Sequence, residues 1–268
     1  MFQNIKEICL LDFKVNKKFI LGWCISIFSI TFLYMILFPS VEDMAQIKME
    51  AMPEELMQFV GMEDFSDMGN FISYYGMIYK LLLVAISIFA VTFGANIIIK
   101  EEKNKTIEFL YSQEVSRLEI YLSKFITGYI ALIFLLLSAY IATNLCGFIN
   151  GGDTFNLMDI TMLTKFSSIT PFVFLSVGCM ISGLSGKLSG SSIGSMVIIL
   201  SYVLGFLSTI VEEKLAWLVY FSPFDLFSPA GNLDINSEFI INMLIYTVLI
   251  FTFLGIGAIQ YKRRDFSI

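Results

Sequence analysis

Six apolar runs constrain this chain more than any other feature: 19–38, 78–99, 125–149, 166–185, 191–211 and 239–260. Each has about 20 residues or more, the length at which an α-helix crosses the hydrocarbon of a bilayer. In that solvent every backbone N–H and C=O needs an internal partner, so such runs fold as helices. With 57% hydrophobic and 15% charged residues and a mean hydropathy of +0.78, a water-soluble domain is excluded. The expectation is an all-α integral membrane protein of six transmembrane helices, one domain over 1–268. The net charge of −6 says little about partners, because in such a chain the placement of charge matters more than its sum. Nothing suggests a nucleic-acid face.

That placement sets the orientation. Lys6, Lys14, Lys17 and Lys18 precede the first run, and Lys100, Lys103, Lys105, Arg117 and Lys124 lie between the second and third. Lys187 follows the fourth run, and Lys262, Arg263 and Arg264 follow the sixth. Lys48, Lys165 and Lys214 fall on the opposite side, and Lys80 at its boundary. The excess of cations marks the cytoplasmic side, so both termini are expected inside.

The connecting segments carry weaker signals. Residues 1–18 put Phe2, Ile5, Cys9 and Phe13 on one helical face, as in an amphipathic helix lying in the interface; a frayed cationic leader is the plainer alternative. The first run has no small-residue cleavage site after it and reads as a retained anchor. Residues 39–70 are acidic, with a short helix expected after Pro53 from Leu56, Phe59 and Val60; this reads as a solvated outer loop rather than a gate. Lys80 is expected to snorkel to the outer boundary rather than to bind cargo within the span. In SGLSGKLSGSSIGS, Gly186, Gly190 and Gly194 recur every four residues, a spacing that lets helices approach closely. A phosphate loop does not fit there. Ser192 sits in a G-x-S-x-G pattern, but the chain has no histidine to activate it, so it reads as a helix-interface serine. FSPFDLFSPAGNL, before the last run, reads as a re-entrant outer segment, serving as a plug or as a cargo contact. Cys9, Cys24, Cys146 and Cys179 lack metal-type spacing and read as small hydrophobes; no metal site is expected.

The polar loop 100–124 holds the most specific pattern. Ile107, Leu110 and Tyr111 recur at i, i+3 and i+4, giving a short helix an apolar face with Glu108 on its polar one. Ser116 and Glu119 have the S-x-x-E spacing of a capping box, so a new helix is expected to start there. Glu101, Glu102, Thr106, Ile107, Glu108, Leu110, Ser112, Val115, Ser116, Arg117, Ile120 and Lys124 together resemble the E-E-x-x-x-T-x-E-x-L-x-S-x-x-V-S-R-x-x-I-x-x-x-K pattern of ABC-2 type permeases. Lys105 and Glu114 depart from it, standing where Gly and Pro are common.

The resemblance implies a permease domain whose loop 100–124 carries a coupling helix, with Thr106, Ile107, Glu108, Leu110, Tyr111 and Arg117 meeting a separate ABC ATPase. It further implies export, ATP and magnesium bound on that partner, a second permease subunit in a homodimer or heterodimer, and placement in the cell membrane. No nucleotide-binding or catalytic constellation is present on this chain itself, so it is not expected to be an enzyme. The other reading of the same residues is a non-transporting membrane sensor or assembly component, with loop cations that only set topology.

Overall fold

The computed structural model describes residues 2–46, 69–103, 115–184, 190–228 and 236–264. Among these residues the structure is helical throughout, without strands. The helices are α1 (Phe2–Ile36), α2 (Phe38–Gln46), α3 (Phe71–Lys103), α4 (Arg117–Asn150), α5 (Leu157–Ser167), α6 (Ile169–Leu184), α7 (Gly190–Ile210), α8 (Glu212–Leu215), α9 (Pro223–Leu226) and α10 (Ser237–Arg263). Two 3-10 turns, Gly152–Thr154 and Ala216–Phe221, link them. Six helical stretches are long and apolar enough to cross a membrane, and each contains one of the six runs or nearly all of it.

Proline explains two of the breaks. Its ring meets the carbonyl four residues back and it has no N–H to donate. Pro171 therefore interrupts the ladder near Ser167, where α5 stops, and α6 begins after the single residue Ser168. The helix leading into the fourth span thus starts at Leu157, nine residues before the apolar run. Pro39 acts alike on Met35, and α1 gives way to α2 at Leu37. Upstream of Pro39, Gly22 is the single helix-weakening residue, so Phe2–Ile36 forms one rod of 35 residues, about 52 Å long. This corrects the expectation of a separate interfacial helix over 1–18: Ile8 and Cys9 are buried against the start of α4, with Ile8 packing on Ile120 and Val115. The helix expected after Pro53 lies outside the described residues.

The centre of the bundle is α3 packed on α5 and α6. Thirteen of the 16 residues of α6 are buried, against five of the 27 of α10. Tyr75, Tyr79, Leu83, Ile86 and Phe89 of α3 are fully enclosed. The approach of α3 to α6 is close enough to require glycine on both sides. A Cβ on Gly94 would stand 2.8 Å from the Leu175 carbonyl oxygen, and one on Gly178 would stand 3.1 Å from the Ala95 nitrogen. Without a hydrophobic effect between helices in lipid, backbone proximity of this kind supplies the dispersion contact that holds them. Around this pair, α1 lies along α4, α7 along α3, and α10 along α6. Their outward faces, such as Ile241, Leu244, Val248 and Phe251 of α10, are apolar and exposed, as a bilayer solvent demands.

At the end of the bundle opposite the chain termini, residues 211–228 fold into short turns. Leu218, Ser222, Pro223, Phe224 and Phe227 are buried while Trp217, Tyr220 and Phe221 stay exposed. The irregular backbone is satisfied by neighbouring helices: Ser201 donates to the Phe221 carbonyl (2.9 Å), Thr170 to that of Pro223 (3.0 Å) and Tyr246 to that of Tyr220 (2.9 Å).

Candidate coupling site

The loop 100–124 enters from α3 and leaves through the first turn of α4. That turn is fixed by the capping box visible in the sequence. Ser116 Oγ accepts from the Glu119 backbone N–H (3.3 Å), and Glu119 Oε2 accepts from the Ser116 N–H and hydroxyl (2.8 Å each). The reciprocal pair satisfies amides that the helix start would otherwise leave bare.

From α4, side chains reach to α10 and α1, which are tied in turn to α6 and α3. Arg117 Nη1 donates to the carbonyl oxygens of Lys262 (3.1 Å) and Arg264 (2.6 Å), closing the C-terminal end of α10. A cation at that position also meets the negative end of the α10 dipole. Arg264 in turn donates to the Ser182 carbonyl near the end of α6 (2.9 Å). Lys124 Nζ pairs with Asp12 Oδ1 of α1 at 2.6 Å, with both side chains almost wholly buried. The same stretch of α1 donates from Cys9 Sγ to the Ser123 carbonyl (3.2 Å). Finally, Lys100 in the last turn of α3 donates to Asn16 Oδ1 of α1 (3.0 Å). The ends of α1, α3, α4, α6 and α10 are thus cross-tied at the one end of the bundle from which loop 104–114 emerges, and both chain termini lie at that end.

Of the expected coupling residues, Thr106, Ile107, Glu108, Leu110 and Tyr111 lie outside the described residues, as does Gly186 of the glycine series. Arg117 is in the cross-tied frame, bonded to backbone carbonyls. Gly190 opens α7, and Gly194 lies hard against the Val91 side chain of α3, where a Cβ would clash. Ser192 is exposed on the other side of α7, which corrects its reading as an interface serine within this chain.

Lys80 is the clearest correction. It does not snorkel: it is 5% exposed and pairs with Asp225 Oδ1 at 2.7 Å, an ion pair joining α3 to the 211–228 segment. Asp225 Oδ2 accepts from Ser222 Oγ at 2.8 Å, so both carboxylate oxygens are occupied. Gly205 of α7 leaves the room: a Cβ there would run into the Asp225 carboxylate. Snorkelling is favoured for a lysine without a buried counter-charge, and Asp225 supplies one 145 residues away in sequence.

Sequence reasoning therefore missed both buried ion pairs and the α3–α6 contact. The signals were faint but present. Asp12 is a lone acid on the face of α1 that also carries Ile8 and Cys9, and Ala90/Gly94 and Gly178/Ser182 are two small-x-x-x-small pairs.

No curated protein matches the chain. The family model described as ABC-2 family transporter protein matches residues 12–266, which takes in all six candidate spans but for the first nine residues of the first, together with the cross-tied frame apart from Cys9. The chain belongs to that family and is a multi-pass transmembrane permease of an ABC transporter, not a nucleotide-binding subunit.

Proposed function

We propose that this permease works in the cell membrane as half of a dimeric exporter driven by a separate ABC ATPase, which binds the ATP and magnesium and docks on loop 100–124. The supporting observation is the cross-tied frame around that loop. A push on residues 104–114 is passed to α3 directly and, through Arg117 and Lys124, to α10 and α1. A loop that served only to set topology needs no such bracing. Within the loop, Ile107, Leu110 and Tyr111 pack into a groove of the ATPase and Glu108 fixes the register. Closure of the ATPase pair displaces the loop and rocks the attached helices, opening a path to the outside between two permease subunits. Both termini are cytoplasmic on this reading, and the 211–228 segment faces out.

The test is a pair of loop variants. Glu108→Lys adds a cation to the cytoplasmic side and so preserves topology, while Leu110→Asp removes the apolar contact. Both are expected to insert and fold normally but to lose most ATPase co-purification and transport-linked ATP hydrolysis. Wild-type association and activity in both variants would sink the coupling assignment and favour a membrane component that senses or assembles.

A further inference from the structure

The outward stripe of α3 changes character along its length. Near the outer end it is apolar, running through Leu81, Ala85 and Ile88. Over the last turns it becomes Thr92, Asn96 and Lys100, at i, i+4 and i+8 on one face. Asn96 is exposed and its side chain bonds no other described residue, an arrangement that would be costly if the amide faced hydrocarbon. A helix face that only meets acyl chains has no use for such a stripe.

The stripe forms one wall of a groove, and α1 forms the other. A pocket of about 190 Å³ lies between Asn16, Thr92, Asn96 and Lys100 over a floor of Phe19 and Phe93. Phe19 is also the edge of a second pocket of about 440 Å³, which continues along α1 past Lys18, Gly22 and Trp23. The two walls are held in register by the Lys100–Asn16 bond and by stacking of Phe19 on Phe89 and Phe93. One of the three Lys100 ammonium donors goes to Asn16, leaving two for a ligand. Nothing lies within 4 Å of where a Gly22 Cβ would stand, so the groove stays open against the α1 backbone there. Trp23 is five residues deeper than Lys18, about 7.5 Å further along the helix.

We propose that this groove binds one anionic phospholipid of the surrounding leaflet. Its phosphate is held by Lys100, Asn16 and Asn96 in the first pocket, with Lys18 at the adjoining second pocket adding its charge, and an acyl chain runs over Phe19 and Trp23. Charge decides the class. Among the described side chains, two cations and no carboxylate line the two pockets, so a headgroup with net negative charge gains at both lysines, whereas a choline headgroup brings a third cation to the same place. The site is independent of whether loop 100–124 meets an ATPase.

The chain has two tryptophans, Trp23 in the groove and Trp217 at the far end, which makes the test direct. The full-length Trp217→Phe protein is reconstituted in vesicles containing either chain-brominated phosphatidylglycerol in phosphatidylcholine or the converse mixture, and quenching of Trp23 is measured. Phosphatidylglycerol is expected to bind at Trp23 at least threefold more strongly than phosphatidylcholine. Lys18→Gln should lower the ratio without changing thermal unfolding, Lys18→Gln/Lys100→Gln should bring it to about one, and Trp217 in the Trp23→Phe protein should show no dependence on either lysine. Equal quenching by the two lipids in the Trp217→Phe protein would overturn the proposal. Absence of quenching by both would overturn it too, and would assign the groove to contact with protein, such as a second copy of the chain.

Discussion

At the scale of single residues, the two buried ion pairs carry the largest consequences. Moving a charge out of water is expensive, and its partner offsets the cost only while both are in place. Removing Lys124 alone would leave the Asp12 carboxylate buried without its cation, at a cost of about 3–5 kcal/mol. Lys124→Met is therefore expected to lower the unfolding temperature in detergent sharply, and Asp12→Asn/Lys124→Met to recover most of the loss. Equal destabilisation in the single and double variants would show that the pair contributes through packing rather than charge. Neither pair was legible in the sequence, for a physical reason. A capping box is closed by residues three apart and shows itself in a four-residue window, as Ser116 and Glu119 do. Asp12 and Lys124 are 112 residues apart, and Lys80 and Asp225 are 145 apart. A lysine in a span then looks alike whether it snorkels or has found an acid.

At the scale of elements, the 211–228 segment depends on one side chain from α3. Its turns are closed by short-range backbone bonds, such as those from Ser222 to Val219 and from Phe227 to Pro223, and Lys80 supplies the cation that keeps Asp225 buried beside Ser222. Lys80→Met should loosen the segment locally. Amide exchange over 216–227 is expected to rise at least tenfold, with the capped start of α4 unchanged. Exchange at the wild-type rate in 216–227 would show that Thr170, Ser201 and Tyr246 hold the segment without it. The elements themselves were readable because apolar length is a property of the chain alone. Their contacts were less so. The periodic series at 186, 190 and 194 drew the packing argument to α7, and Gly194 does press on Val91. The tighter contact is α3 on α6, through Gly94 and Gly178, isolated glycines whose partnership depends on which helices become neighbours.

At the scale of the whole molecule, the arrangement gathers most of the cations at one end, Lys165 and Lys214 lying at the other. The end with both chain termini holds Lys6, Lys14, Lys17, Lys100, Arg117, Lys124 and Lys262, and the other holds Glu42, Asp43, Asp153 and Asp159. Single cysteines introduced into a cysteine-free background are expected to react with an impermeant reagent from outside at positions 55 and 153, and from the cytoplasmic side at position 103. Outside labelling at position 103 would overturn the orientation. The expectation follows from the segregation of cations alone and owes nothing to packing, so it was available before any helix was placed.

The α3 helix also has a mechanical reading. It is 33 residues long, roughly 50 Å, and it is pinched by α6 at Gly94. Nine residues separate that pinch from Lys103 and fourteen from Lys80, about 13 Å and 21 Å of stiff rod on either side. With Gly94 as fulcrum, the outer arm is half again as long as the inner one. A sideways step of about 2 Å where the loop begins becomes about 3 Å at the Lys80 position. A shift of that size has to be taken up by the flexible Lys80 stem or by the pair it forms with Asp225 at 2.7 Å. The two glycines thus set a gear ratio, and moving the pinch one turn toward either end would change how far a given step at one end carries the other.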